Sequence, residues 1–182
     1  MRRRFGAAFL LLALLAGPAR AGDSLVAELV AAAPSANPEV LTLAARAADC
    51  ARKQGMLDGF HRLAVIDYSK PSTARRLWVF DVPSGRLLFH ELVAHGRNTG
   101  EQLAQRFSNV EGSKMSSLGL YQATETYQGS NGYSLRLRGL DRGFNDNALA
   151  RAIVMHGAPY VSEAIAQRLG RLGRSWGCPA VR

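Results

Sequence analysis

Cys178 stands between Gly177 and Pro179, and Ser175-Trp176 lead into it. Glycine admits positive φ, while proline fixes φ and removes a backbone donor. Such a run builds a tight turn that presents a thiol and gathers N–H groups around it. A thiol attacks as thiolate and needs a base or a cation beside it, most often an imidazole. The candidate is His156, which ends the apolar run Ile153-Val154-Met155-His156-Gly157. Nucleophilic attack by a thiolate is the chemistry such a pair supports, and the pairing predicts a thiol acidified below its free value of about 8.5. Spacing alone favours a structural histidine, but context favours a site. His156 ends a strand-like run before a glycine, and Cys178 lies in a Gly/Pro loop, not on a helical face.

Other motifs carry less. His90-Glu91-Leu92-Val93-Ala94-His95 has one residue too many for a zinc-protease helix, so its histidines face different sides of a helix or strand. Gly170-Arg171-Leu172-Gly173 lacks the lysine and hydroxyl residue of a phosphate loop. No His, Cys, Asp or Glu cluster has metal-ligand spacing, so no metal or cofactor is expected.

The elements that must position the pair follow from periodicity. Residues 23–33 read as a short helix stopped by Pro34. A second helix starts at Asn37 as N-cap with Pro38 behind it and closes at Gly55. Val40, Leu43, Ala47, Cys50 and Ala51 share one face, which predicts a buried Cys50. From Arg62 the pattern turns to strands: 63–68, a hairpin of 77–82 with 87–93, a second of 118–127 with 133–140, and 152–156. Residues 161–169 read as a helix closed by Gly170. Residues 95–117 are polar with little periodicity; a loop that long is expected to line a site, lid-like.

The N-terminus has Arg2-Arg3-Arg4, an apolar run from Phe5 to Ala16, and Ala19-Arg20-Ala21, the pattern of a secretory signal cut after Ala21. The run falls short of the roughly 20 residues of a membrane span, so no stable span is expected after cleavage. Without Arg2, Arg3, Arg4 and Arg20, 19 basic residues face 14 acidic ones. That moderate excess suits anionic envelope polymers, and without basic runs interleaved with aromatics nucleic acid is not expected as a partner. Export places Cys50 and Cys178 in an oxidising compartment, which leaves a disulfide between them as the alternative to a catalytic thiol.

His156-Gly157 followed by Ser175-Trp176-Gly177-Cys178 resembles the murein L,D-transpeptidase catalytic domain of the YkuD type, in its second, mainly Gram-negative branch. Leu77 to Val82, Val93-Ala94-His95-Gly96-Arg97-Asn98, Arg106-Phe107-Ser108-Asn109, Glu125-Thr126-Tyr127-Gln128-Gly129, Gly143-Phe144-Asn145-Asp146-Asn147 and Gly173-Arg174 resemble it too. The chain stops at Arg182 where that family continues with strand and helix, so the catalytic domain is expected to be truncated.

The resemblance implies a mainly β, α+β fold: a sandwich or barrel-like core over residues 57–182, preceded by a helical segment over 22–56 and the signal over 1–21. It implies a periplasmic enzyme whose Cys178 attacks tetrapeptide stems of peptidoglycan and whose His156 handles protons. The Gly157 carbonyl would orient the imidazole. Gly177 and Cys178 N–H groups would form the oxyanion hole, with Ser175 and Trp176 supporting the loop. Arg97, Asn98, Arg106, Tyr127, Asn145 and Arg174 are expected to bind substrate. An L,D-carboxypeptidase using the same pair, or a non-catalytic envelope-binding module, are the alternatives.

Overall fold

The structure, a computed structural model, describes residues 21–182, without the side chains of residues 21–23. Residues 1–20 of the expected export signal lie outside the described residues. Helix α1 spans Ala21–Ala32 and α2 spans Pro38–Lys53. The start of α2 is set locally: the Asn37 side chain accepts from the Glu39 N–H at 2.9 Å, and Pro38 needs no N–H partner there. Among the described residues no helix is long and apolar enough to cross a membrane.

The buried stripe of α2 is Leu41, Ala45, Ala48 and Ala51, with Val40 packed partly against the same core, so the expected burial of Leu43 and Cys50 is corrected. Cys50 is exposed and Leu43 is 71% exposed. Both stripes have helical spacing. The alanine stripe wins because its small side chains let α2 lie close on α1 and the sheet, in one core with Leu29, Leu63, Val65, Trp78 and Phe80.

That sheet is antiparallel: β1 (Arg62–Ile66), β2 (Leu77–Asp81) and β3 (Arg86–Glu91). The second sheet has the order β4 (Tyr121–Gly129), β5 (Gly132–Gly139), β6 (Val154–Gly157), β7 (Ala180–Val181). The β4–β5 hairpin turns over Ser130-Asn131, with Gly129 opposite Gly132. β6 and β7 run parallel. The sheets meet beyond β3, where the Ala94 N–H donates to the Ala180 carbonyl at 2.8 Å. Helix α3 (Glu163–Leu169) is capped by the Ser162 hydroxyl, ends on Gly170 in the left-handed region, and packs in a core with Leu92, Ala94, Val161, Leu172 and Ala180. The fold is α+β and mainly β, as expected.

The segment 95–117 is a brace and not a free flap. His95, Thr99, Ser116 and Ser117 are buried, and its backbone closes on itself through Asn98 N–H to Lys114 O, Arg106 N–H to Thr99 O and Ser108 N–H to Ser116 O. Its root is a buried polar pair. Arg76, fully buried, donates to the Val93 and Lys70 carbonyls and, at 2.8 Å, to His95 Nδ1. A guanidinium only donates, so His95 accepts at Nδ1 and donates from Nε2 to the Gly100 carbonyl at 3.2 Å. Burial and the Arg76 charge hold His95 down to about 4, while burial lowers Arg76 to about 10.

His95 is thus neutral when folded, and the unfolded chain binds a proton that the fold refuses. Its contribution is complete above about pH 6.5 and is lost as pH falls towards 4. Urea unfolding at pH 7 and 4.5 should show a stability loss about 1–2 kcal/mol larger for the wild type than for His95→Gln, which cannot titrate.

Candidate functional site

The turn that carries Cys178 is closed by one hydroxyl. Ser175 Oγ donates to the Cys178 carbonyl at 2.6 Å and accepts from the Gly177 N–H at 3.1 Å. Behind the turn the chain passes very close to residues 95–117. A Cβ at Gly96 would lie 2.9 Å from Gly177 Cα and 2.5 Å from the Lys114 carbonyl oxygen. A Cβ at Gly177, where φ is 129°, would lie 2.8 Å from the Met115 carbonyl oxygen. Only glycine fits this approach. Ser116 fills the seam: its hydroxyl accepts from the Gly96 N–H at 3.0 Å and donates to the Gly177 carbonyl at 2.9 Å. Its own N–H donates to Thr99 Oγ1 at 2.8 Å.

The thiol rests against the start of β6. Cys178 Sγ lies 3.5 Å from the Val154 N and 3.8 Å from the Ala152 carbonyl oxygen. Ala152 holds φ 53°, and only one other non-glycine among the described residues has positive φ: Lys114, φ 56°. Both abut the Cys178 turn, since Lys114 Nζ lies 4.8 Å from the ring centre of Trp176. Left-handed backbone in L-residues costs roughly 1–2 kcal/mol and clusters where function constrains the chain.

His156 sits on β6, buried, in register with Ser134 on β5 and Ala180 on β7. Its Nδ1 lies 2.8 Å from the Gly157 carbonyl oxygen. A carbonyl only accepts, so Nδ1 carries the proton and Nε2 keeps a free lone pair. The resting thiol bonds to the β6 backbone and not to His156. Burial pushes the thiol up, opposed by the Val154 N–H, the Arg151 charge and the Cys178 amide. The expectation of a thiol acidified by His156 is corrected: desolvation dominates, and the nearby charge that eases it is Arg151.

The remaining expected residues divide. Gly177 does not offer an oxyanion N–H, because Ser175 takes it; the Cys178 N–H makes no other hydrogen bond among the described residues. Asn145 is fully buried, its amide donating to the Leu120 carbonyl and accepting from the Asp141 N–H, so it holds the fold and presents nothing to a substrate. Arg174 is bound to Glu101 and to the carbonyls of Arg97 and Gly100. Asn98 donates to the Ser113 carbonyl. Tyr127 lies under Arg136, ring centre 4.4 Å away, opposite Ser134 and so one strand removed from His156. Arg97 and Arg106 are exposed, and Trp176 is 70% exposed. Ser116, Thr99 and Arg151 were not singled out from sequence; a serine, a threonine and an arginine in polar stretches give no local signal.

A cysteine turn docked on the strand that bears the histidine, across two bridged sheets, defines an α+β domain with a thiol at its centre. A family model described as the L,D-transpeptidase catalytic domain matches residues 32–182. The chain belongs to that family, which fits an enzyme acting on peptidoglycan. No curated protein and no solved structure matches it.

Ser116→Ala strands the Gly96 N–H and the Gly177 carbonyl in a buried seam. It should cost about 1–3 kcal/mol in urea unfolding and loosen the turn, seen as faster amide exchange at Gly96.

Proposed function

We propose that the protein is a peptidoglycan L,D-transpeptidase, exported to the periplasm and working through a cysteine acyl-enzyme on tetrapeptide stems. The observation that carries this is the tethered imidazole: Nδ1 is fixed on the Gly157 carbonyl, which leaves Nε2 as the base, on the strand where the Cys178 thiol rests. The thiol turns from the Ala152 carbonyl towards Nε2 and gives up its proton. Sγ then forms a bond to the carbonyl carbon of the third stem residue, and the Cys178 N–H faces the oxygen that gains charge. Collapse breaks the amide bond, and the D-alanine nitrogen leaves with the proton held by His156. An amine of a second stem attacks the thioester, passes its proton to His156, and Sγ leaves to recover it.

Trp176 in the turn and Arg97, whose N–H donates to the Ser175 carbonyl at 2.8 Å, are exposed and suit a stem peptide that carries carboxylates. The braced 95–117 segment fixes the turn from behind through the Ser116 seam.

With sacculi rich in tetrapeptides, the enzyme is expected to release D-alanine and form dimers linked between third residues, detected by mass spectrometry. Cys178→Ala should form neither product, and His156→Ala should lose about 10²–10⁴-fold in rate. D-alanine with tripeptide stems but no dimers makes the enzyme an L,D-carboxypeptidase.

A further inference from the structure

Arg151 sits in the turn that leads into β6, and its guanidinium is spread over four acceptors of one loop. Nη1 donates to the Ser108 carbonyl at 2.7 Å and to the Ser117 hydroxyl; Nη2 donates to the Met115 carbonyl at 2.6 Å and the Ser113 hydroxyl at 3.3 Å. None of the four is a carboxylate, and Arg151 forms no ion pair among the described residues. A half-buried cation held only by neutral oxygens keeps its charge uncompensated. That charge lies beside the nucleophile turn: Nη2 is 3.3 Å from where a Cβ on Gly177 would stand. The residue after Arg151 is Ala152, whose left-handed backbone turns its carbonyl onto the Cys178 thiol.

We infer that Arg151 is the positioning residue whose fixed charge stabilises the Cys178 thiolate, leaving His156 to carry the proton. The inference rests on the reading of Cys178 as nucleophile. Lys114 reaches the turn at the Trp176 ring, 4.8 Å from its centre, and Arg151 is the charged group that acts on the thiol itself. Tyr121 packs in the same apolar cluster as Cys178, and Tyr68 and Tyr160 are phenols raised by burial, Tyr68 to about 12. His156 is tied to Gly157 through its protonated nitrogen. The mutual effect of the two groups agrees: Arg151 lowers the thiol, and the thiolate raises Arg151, each against its own burial. Two jobs that one imidazolium often does for a cysteine are then divided between two residues. The loop 108–117, by holding the guanidinium, is what fixes the charge in place.

The test is the rate of iodoacetamide alkylation of Cys178 against pH, read by intact mass in a Cys50→Ser background. It reports the thiol directly and does not depend on which acceptor the enzyme uses. Arg151→Gln is expected to raise the apparent thiol pKa by about half a unit or more. Arg151→Lys, which keeps the charge, should stay within about 0.3 unit of the wild type. His156→Ala should leave the apparent pKa within that same margin while turnover falls by about 10²–10⁴-fold. An unchanged profile in folded Arg151→Gln reduces Arg151 to a loop brace, and a shift in Arg151→Lys as large as in Arg151→Gln does the same. Should Arg151→Gln fail to fold, the substitution is repeated with Ala152→Gly, which removes the left-handed strain, and the Lys variant decides independently. If no pH leaves Cys178 alkylated in the wild type, the nucleophile assignment itself falls, a result distinct from either of the others.

Discussion

Two backbones meet without side chains between them at Gly96 and Gly177, and the Ser116 hydroxyl joins the amide of one to the carbonyl of the other. The nucleophile turn has no regular secondary structure of its own, so its shape has to be imposed from behind. The seam does this with a close approach that only glycine fits at Gly96 and Gly177 and with hydrogen bonds between buried groups. From the seam the constraint runs outward through Thr99 to the rest of the 95–117 segment, through His95 to buried Arg76, and so to the start of β2. The first sheet is in this sense the foundation of a turn that sits beside the second.

Charge is distributed unevenly along this path. Arg76 and His95 form a buried pair in which only one member is ionised, which avoids both an uncompensated second charge and an open hydrogen bond. Arg151 on the opposite side of the segment is likewise surrounded by carbonyls and hydroxyls. Beside Arg151 the thiol is desolvated and rests neutral on the backbone of β6. A neutral resting thiol is protected from indiscriminate oxidation, since the oxidisable form is the thiolate.

What was legible in the sequence was local or chemical. The Asn37 cap, the Ser162–Gly170 helix and both hairpins are written in a few adjacent residues whose backbone preferences agree with the fold. Cys178 and His156 stood out by residue type and loop context. What was not legible depended on partners distant in sequence. Helix α2 has two apolar stripes, and which one is buried is settled only by α1 and the sheet. Asn145, Arg174 and Asn98 look like substrate-facing residues because they are polar and lie in loops. Irregular backbone leaves its own N–H and C=O groups unpaired, and these side chains satisfy them. Ser116 and Arg151 do the same, with consequences for the thiol that no periodicity encodes.

Strand β7 contains two residues, Ala180 and Val181, and sits two positions beyond the nucleophile. It is held on both sides: β6 runs parallel beside it, a pair of bonds joins Ala180 to Ala94, the Ala158 N–H donates to the Val181 carbonyl, and Ala180 is buried in the core under α3. Burial of Ala180 ties this short ladder to the core that it helps to form. β7 therefore holds the far end of the nucleophile turn while the Ser116 seam holds the near end. The two supports belong to different parts of the fold: one is a strand shared between β6 and Ala94, the other the braced segment 95–117.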